Sequence, residues 1–307
     1  MNRLQANLCL LCVTICWSME AIIFCCIPRE VPLCATPCVT SITGALLLFA
    51  AFYRRAVEAL KKDCRHLLLG CLGLAILSAA YNTLYLFGMK HFDVASGAFT
   101  FCMTVVVLPV VLLTMHRRIP LNTWISVLLV SVGIVLALRG TLHIRQLPGL
   151  GLMGAGCLLR AVFIVLLVDF SRKHDPLTIA IFLELFAGGY AFLGWLIDDP
   201  RLFWGLPLSR TLVASWAIYS YFVVAISQAL NLFAVKRMTA ANVTIVYSTE
   251  IVFTLIWGMF LPANVIEHIN MTPGIMLGVI LVILGNIAEN IGNDERKSDP
   301  CEKERAP

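Results

Sequence analysis

The chain has 307 residues, of which 60% are hydrophobic and only 13% charged, about half the charged share of an ordinary soluble domain. Apolar stretches of about twenty residues recur along it, each long enough to cross a hydrocarbon core of roughly 30 Å. The net charge of +5 sits in short basic runs, with no aromatic-interleaved basic groove, zinc-finger spacing or phosphate loop, so no nucleic-acid partner is expected. This is the composition of an all-α polytopic membrane protein.

Ten transmembrane helices are predicted, over residues 8–26, 33–53, 67–89, 94–115, 120–138, 149–169, 177–197, 213–234, 240–261 and 272–290. The first contains LCLLCVTICWSMEAIIFCC and no small-residue cleavage site follows it, so it reads as a retained helix rather than a signal peptide. Its Cys9, Cys12 and Cys16 share one face, where a thiol acts as a small apolar residue; no metal or other cofactor is expected. A pairing among Cys25, Cys26, Cys34 and Cys38 stays open on sequence grounds. Pro32, Pro120, Pro148, Pro176 and Pro273 fall at predicted starts, where proline costs a helix little.

An even number of spans places both termini on one side. Arg54, Arg55, Lys61, Lys62, Arg65, Arg117, Arg118, Arg172, Lys173, Lys236 and Arg237 then share that side with the basic C-terminal run, while Arg29, Lys90, Arg139, Arg145, Arg201 and Arg210 fall opposite. The positive-inside rule makes the first side cytoplasmic. The expected location is the cell membrane (plasma or inner), with both termini cytoplasmic. Asn270-Met271-Thr272 matches a glycosylation acceptor on the outer side. The tail NDERKSDPCEKERAP (residues 293–307) is charged and aperiodic, and is expected to be disordered.

The chain echoes itself. Residues 81–96, YNTLYLFGMKHFDVAS, lie on 227–242, SQALNLFAVKRMTAAN, without a gap. Leu84, Leu86, Phe87, Lys90 and Ala95 meet Leu230, Leu232, Phe233, Lys236 and Ala241; Asn82 meets Gln228, Tyr85 meets Asn231, and Thr104 meets Glu250. A nearby offset pairs Trp17 with Arg160, and Gly133 echoes Gly285. The halves divide as residues 1–140 and 141–292, five helices each. An odd number turns the second half upside down relative to the first, and such inverted repeats build transporters that alternate around a midplane site.

Ala240-Ala241-Asn242-Val243, followed by Tyr247-Ser248-Thr249-Glu250-Ile251-Val252-Phe253, resembles the signature of the EamA family of the drug/metabolite transporter (DMT) superfamily. Cys16-Trp17-Ser18 is similar to that family's Trp-Gly element in helix 1. The resemblance implies a ten-helix bundle of inverted five-helix repeats that moves small metabolites, often outward. The chain departs from the pattern at Ile251, where proline is usual, and at Arg160, where tryptophan is.

Four charges fall inside predicted spans: Glu20, Arg160, Glu184 and Glu250. A charge at the bilayer centre costs about 2.5–3.5 kcal/mol even on the lenient scale, so such residues face a bundle interior and find partners. At about 1.5 Å of rise per residue, Arg160 and Glu250 share the midplane, with Glu184 displaced to one side and Glu20 to the other. Arg160 is expected to pair first with Glu250 and second with Glu184. Asp169, Asp198, Asp199, Glu289 and Lys90 lie near helix ends and read as interfacial. Trp17 and Glu20, three apart, share a face, as do Asn82 with Tyr85 and Gln228 with Asn231.

The candidate substrate-binding residues are therefore Trp17, Glu20, Asn82, Tyr85, Arg160, Gln228, Asn231 and Glu250. Such a set suits a small zwitterion such as an amino acid: its carboxylate on Arg160, its ammonium on Glu20 or Glu250. Glu250 or Glu184 would carry a coupled proton. The expectation is a secondary transporter, exporting by alternating access; an uncoupled facilitator and a non-transporting scaffold or receptor are the alternatives. No His-Glu-x-x-His or Gly-x-Ser-x-Gly motif points to an enzyme. The partners expected are a small-molecule substrate and the lipid bilayer, with a homodimer left open.

Overall fold

The computed structural model describes residues 2–20, 23, 27–28, 30–32, 34–89, 102–117, 119–138, 147–198, 206, 208–260 and 272–298. Lys90, Ala95, Gly97, Arg29, Arg118, Arg139, Arg145, Asp199, Arg201, Cys25, Cys26, Asn270, Met271 and the tail beyond Ser298 lie outside them.

The described residues form helices and no strands. In chain order these are α1 (Arg3–Ser18), α2 (Ala35–Met89), α3 (Thr104–Thr114), α4 (Leu121–Leu138), α5 (Leu147–Lys173), α6 (Pro176–Asp198), α7 (Arg210–Ile218), α8 (Ser227–Val235), α9 (Ala240–Tyr247), α10 (Glu250–Phe260) and α11 (Pro273–Ser298). A π-helical segment, Tyr219–Ile226, joins α7 to α8 without interruption. Among the described residues, five stretches are long and apolar enough to cross a membrane: Ala35–Tyr85, Leu147–Lys173, Pro176–Ile197, Arg210–Val235 and Ala240–Trp257. Shorter apolar helices cover Leu4–Ser18, Thr104–Thr114, Leu121–Leu136 and Pro273–Glu289. The chain is thus an all-helical protein with the spans of a membrane protein.

Local chemistry explains the boundaries. Helix α1 starts earlier than its apolar run because Asn2 and Gln5 form a reciprocal capping box, each side chain accepting from the other's backbone N–H at 2.9 Å, which satisfies two otherwise orphaned donors. Pro176 and Pro273 open α6 and α11, and Pro148 sits in the first turn of α5, positions with no intrahelical partner for the missing N–H. Helix α2 carries two predicted spans. Phe52 (φ −127°, ψ 24°) and Asp63 (φ −156°, ψ 67°) leave helical geometry, dividing α2 around a short basic segment whose Arg54, Arg55, Lys61 and Lys62 are exposed. Helix α11 continues through Ser298, into the start of the expected disordered tail.

Helix α9 lies at the centre, with every residue buried. Around it, α1 packs on α8, α9 and α10, while α5 packs on α2, α3 and α9. Helices α2 and α6 form one extensive contact and α4 and α11 the other. With lipid tails as apolar as leucine, close backbone approach and interhelical hydrogen bonds hold such a bundle. At the α4–α11 contact a Cβ on Gly133 would stand 2.7 Å from the Gly278 carbonyl oxygen, and one on Gly285 2.7 Å from Val130 Cγ2. Gly133→Ala should therefore cost about 1–3 kcal/mol through overpacking. Thermal unfolding in detergent checks this: the variant melts below the parent, while Gly151→Ala, with nothing within 4 Å of its Cβ, does not.

The same contact covers Glu289 near the end of α11: it is 2% exposed, and Thr123 on α4 donates to its Oε1 at 3.1 Å. Proximity to a helix end said nothing about the neighbour that covers it.

At one end of the bundle, α3 stops in a Schellman arrangement. His116 takes the left-handed conformation (φ 54°), with Arg117 N donating to Leu112 O and His116 N to Leu113 O, both at 2.9 Å. The turn delivers the Arg117 guanidinium to both carboxylate oxygens of Asp169 at the end of α5. Arg172 donates to Met238 O at 3.1 Å and Lys236 to His174 O at 3.0 Å, so the C-terminal ends of α3, α5 and α8 meet in one basic cluster.

Candidate functional site

The stretch Tyr247-Ser248-Thr249-Glu250 breaks a helix at the centre of the bundle. The Ser248 and Thr249 hydroxyls donate to Ile245 O and Val246 O, each at 2.6 Å, and Thr244 donates to Ala240 O at 2.9 Å. Such back-bonding competes with the helical ladder and bends it. Helix α9 ends at Tyr247, two residues turn, and α10 begins at Glu250. The glutamate thus sits at a helix start, where the dipole favours a negative charge. Thr104, its counterpart in the first half, likewise opens α3 after a turn at Met103. The same register pairs Cys102 with Ser248, and these two touch: the Cys102 thiol donates to Ser248 O at 3.9 Å.

A small pocket of about 10 Å³, room for about one water molecule, lies at this meeting point. Its polar wall is Cys102, Thr104, Arg160, Thr244, Tyr247 and Ser248, and its aliphatic wall Val105 and Ile164. Helix α3 and the turn before it supply one side, and α5 and α9 the other. Arg160 reaches in from the middle of α5, itself buried. Its Nη2 lies 3.9 Å from Glu250 Oε2, an ion pair beyond hydrogen-bond length, and its guanidinium carbon lies 5.7 Å from the Tyr247 ring centre, within cation–π range.

Helix α1 closes one side. The Trp17 ring tilts against Tyr247 with centroids 4.9 Å apart, and its indole N–H donates to Ser227 at 3.0 Å. Thr14 shares a 3.3 Å hydrogen bond with Thr249, and Trp257 donates to Ser18 at 2.9 Å. Just beyond, Glu20 accepts from the Tyr219 hydroxyl, at the start of the π-helical segment. It is within electrostatic range of Glu250 and Arg160. Tyr85 faces the same three charges.

A second set runs away from the cavity. The Tyr247 hydroxyl donates to Asn231 Oδ1. Asn231 Nδ2 donates to Gln228 Oε1 at 3.3 Å, and Gln228 Nε2 to Glu184 Oε1 at 2.7 Å. Ser41 also hydrogen-bonds Glu184, which is 7% exposed between α2, α6 and α8.

Of the eight residues expected at the site, Arg160 lines the pocket; Glu250 and Trp17 adjoin it through Arg160 and Tyr247, Glu20 and Tyr85 lie within electrostatic range of Arg160, and Gln228 and Asn231 belong to the polar chain behind it. Asn82 does not join them; it is exposed, and its amide donates to Ser78 at 3.4 Å. Glu184 reaches Arg160 only through the chain ending at Tyr247. Sequence reasoning missed Cys102, Thr244, Tyr247 and Ser248 as cavity wall, and Tyr219 as the partner of Glu20. The first four carried a signal. Thr244, Tyr247 and Ser248 fall three or four apart on one helix face, and Cys102 is the counterpart of Ser248. Tyr219 carried none, because a π-helical turn shifts which face its neighbours present.

No family profile and no curated protein matches the sequence. A solved crystal structure of a protein superposes with a TM-score of 0.74 at 16% sequence identity, covering 94% of this chain and 98% of the other. At that identity the likeness is one of fold, over essentially both whole chains. Among the described residues no three His, Cys, Asp or Glu side chains are placed to hold a metal ion.

Proposed function

We propose that this protein is a secondary transporter of a small polar zwitterion such as an amino acid, working by alternating access between two inverted five-helix halves, residues 1–140 and 141–292, in the manner the EamA resemblance implies. The observation that carries the reading is the small pocket at the bundle centre, which holds an arginine and draws its wall from both halves at a point where Cys102 and its counterpart Ser248 touch. Corresponding residues meet where a pseudo-twofold axis passes, and substrate sites of inverted-repeat carriers lie there. The reciprocal packing, α1 on α8 to α10 and α5 on α2 and α3, and the matched helix starts at Thr104 and Glu250 support the same relation.

In this reading the substrate carboxylate meets Arg160, the α3 N-terminus adds dipole stabilisation, and the ammonium takes the carboxylate of Glu250 or Glu20. The basic end bearing Arg117, Arg172 and Lys236 faces the cytoplasm, and the direction of transport is outward. Glu250, between arginine and substrate, is the group through which a proton exchanges. An uncoupled facilitator would use the same cavity without that exchange. Counterflow of a panel of radiolabelled L-amino acids into proteoliposomes of the purified protein tests the proposal. Accumulation of at least one, lost with its carboxyl-amidated analogue as competitor-free substitute, supports it; no counterflow of any zwitterion, with the protein shown to be folded, overturns it.

A further inference from the structure

The polar chain from Glu184 to Tyr247 has a direction. Gln228 donates to Glu184, Asn231 donates to Gln228, and Tyr247 donates to Asn231. Every hydrogen in the row points at the carboxylate. Its last member, Tyr247, forms part of the cavity wall. With its one hydroxyl hydrogen committed to Asn231, the phenol can offer the cavity only oxygen lone pairs.

We propose that the charge state of Glu184 sets the hydrogen-bond polarity of the cavity through Gln228, Asn231 and Tyr247. A carboxylate only accepts; a carboxylic acid also has one O–H to donate. When Glu184 takes up a proton from water, its new O–H hydrogen-bonds to the Gln228 carbonyl once that amide has turned end for end, which costs little shape because its O and NH₂ ends are nearly alike. Gln228 Nε2 then donates to the Asn231 carbonyl, Asn231 turns likewise and donates to the Tyr247 oxygen, and the phenol hydrogen swings into the cavity. No proton moves along the row; the amides only rotate, and the single proton gained stays on Glu184. The wall changes from acceptor to donor. An ammonium group held against Tyr247 is favoured while Glu184 is charged and repelled once it is protonated, so Glu184 acts as a positioning residue that discharges a cation-bearing substrate without entering its site.

The surroundings suit such a switch. The titratable groups facing Glu184 are Tyr81 from α2 and Tyr219 from the π-helical segment, both phenols and uncharged at neutral pH. Ser41 from α2 and Gln228 from α8 complete the shell. Asn231 and Tyr247 are 3% and 6% exposed, and Gln228 beside Glu184 is half-buried. The consequence for substrate release rests on the transport reading above, but the switch itself does not, and its test uses no substrate.

Infrared difference spectra of the reconstituted protein on acidification read both ends. In the wild type a protonated-carboxyl band absent from Glu184→Gln is expected, together with a shift of a tyrosine C–O band absent from Tyr247→Phe. In Glu184→Gln the tyrosine shift is lost; in Gln228→Ala, and separately in Asn231→Ala, the carboxyl band remains and the tyrosine shift is lost. A tyrosine shift that persists in Glu184→Gln, or survives both alanine variants, overturns the proposal. So does a wild type in which no Glu184 band appears over the whole pH range where the protein stays folded. If one alanine variant does not fold, the other and the Glu184→Gln comparison still decide. Failed counterflow with intact spectra would sink the transport reading alone.

Discussion

Replacing Arg160 with alanine abolishes substrate recognition and weakens the fold together, and the two losses separate in a double variant. The guanidinium is only 10% exposed and faces Glu250, itself 27% exposed. Removing one member of a buried pair strands the other, at about 3–5 kcal/mol, so Arg160→Ala should melt well below the parent in detergent. Glu250→Gln relieves the stranded charge, and Arg160→Ala/Glu250→Gln should recover much of that stability. It should not recover binding. A charge-assisted bond from arginine to a substrate carboxylate contributes about 1.5–3 kcal/mol, so amino-acid-dependent thermal shifts need tenfold or more ligand, or vanish. Arg160→Lys, which keeps the charge but not the planar fork, falls between. If the double variant regains both stability and ligand response, Arg160 is a structural tie and its place in the site is lost.

The second large effect concerns the proton. If the substrate ammonium and a proton compete for Glu250, lowering the pH protonates the carboxylate and weakens substrate binding, and the apparent KM rises as the medium is acidified. The carboxylate is the binding form, so the affinity gained from it is present above its pKa and lost as pH falls through it. Glu250→Gln removes the titrating group and keeps the shape. Uptake into proteoliposomes by this variant should be slower and should lose the share of the pH dependence that Glu250 carries, keeping only what Glu184 imposes, and an imposed pH gradient should no longer drive accumulation. Uptake that keeps the parental pH profile in Glu250→Gln removes this residue as the coupling group. A parent with no pH dependence and no response to a gradient favours the uncoupled facilitator.

These two variants also show how the site came to be legible. A charge in an apolar run is conspicuous because lipid cannot solvate it, and equal depth sufficed to pair Arg160 with Glu250. Glu184 is as conspicuous, but the second-choice pairing with Arg160 is not the contact it makes: it bonds Gln228 and Ser41. Depth gives one coordinate, and three intervening side chains, Gln228, Asn231 and Tyr247, occupy the others. Tyr247 itself was passed over because an aromatic in an apolar helix is unremarkable until its hydroxyl is seen to reach Asn231. Asn82 was expected inside on the strength of its match with Gln228, yet the two side chains have opposite fates: one is exposed, the other bonds a buried glutamate. A repeat preserves backbone register, not what packs against each copy.

Helicity, membrane-spanning length, most helix starts and the inward-facing ionisable residues were all legible along the chain. Those properties follow from local and one-dimensional physics: the length of apolar runs against bilayer thickness, proline and capping residues at helix starts, and the cost of a charge in hydrocarbon. Only the packing places α9 at the centre, sets the Ser248 turn against Cys102, covers Glu289 with Thr123, and links Glu184 to Tyr247 through Gln228 and Asn231. Each of these depends on which helix faces which. In lipid, where every apolar face is equally content, that choice is made by a few glycines and hydrogen bonds whose partners lie far away along the chain.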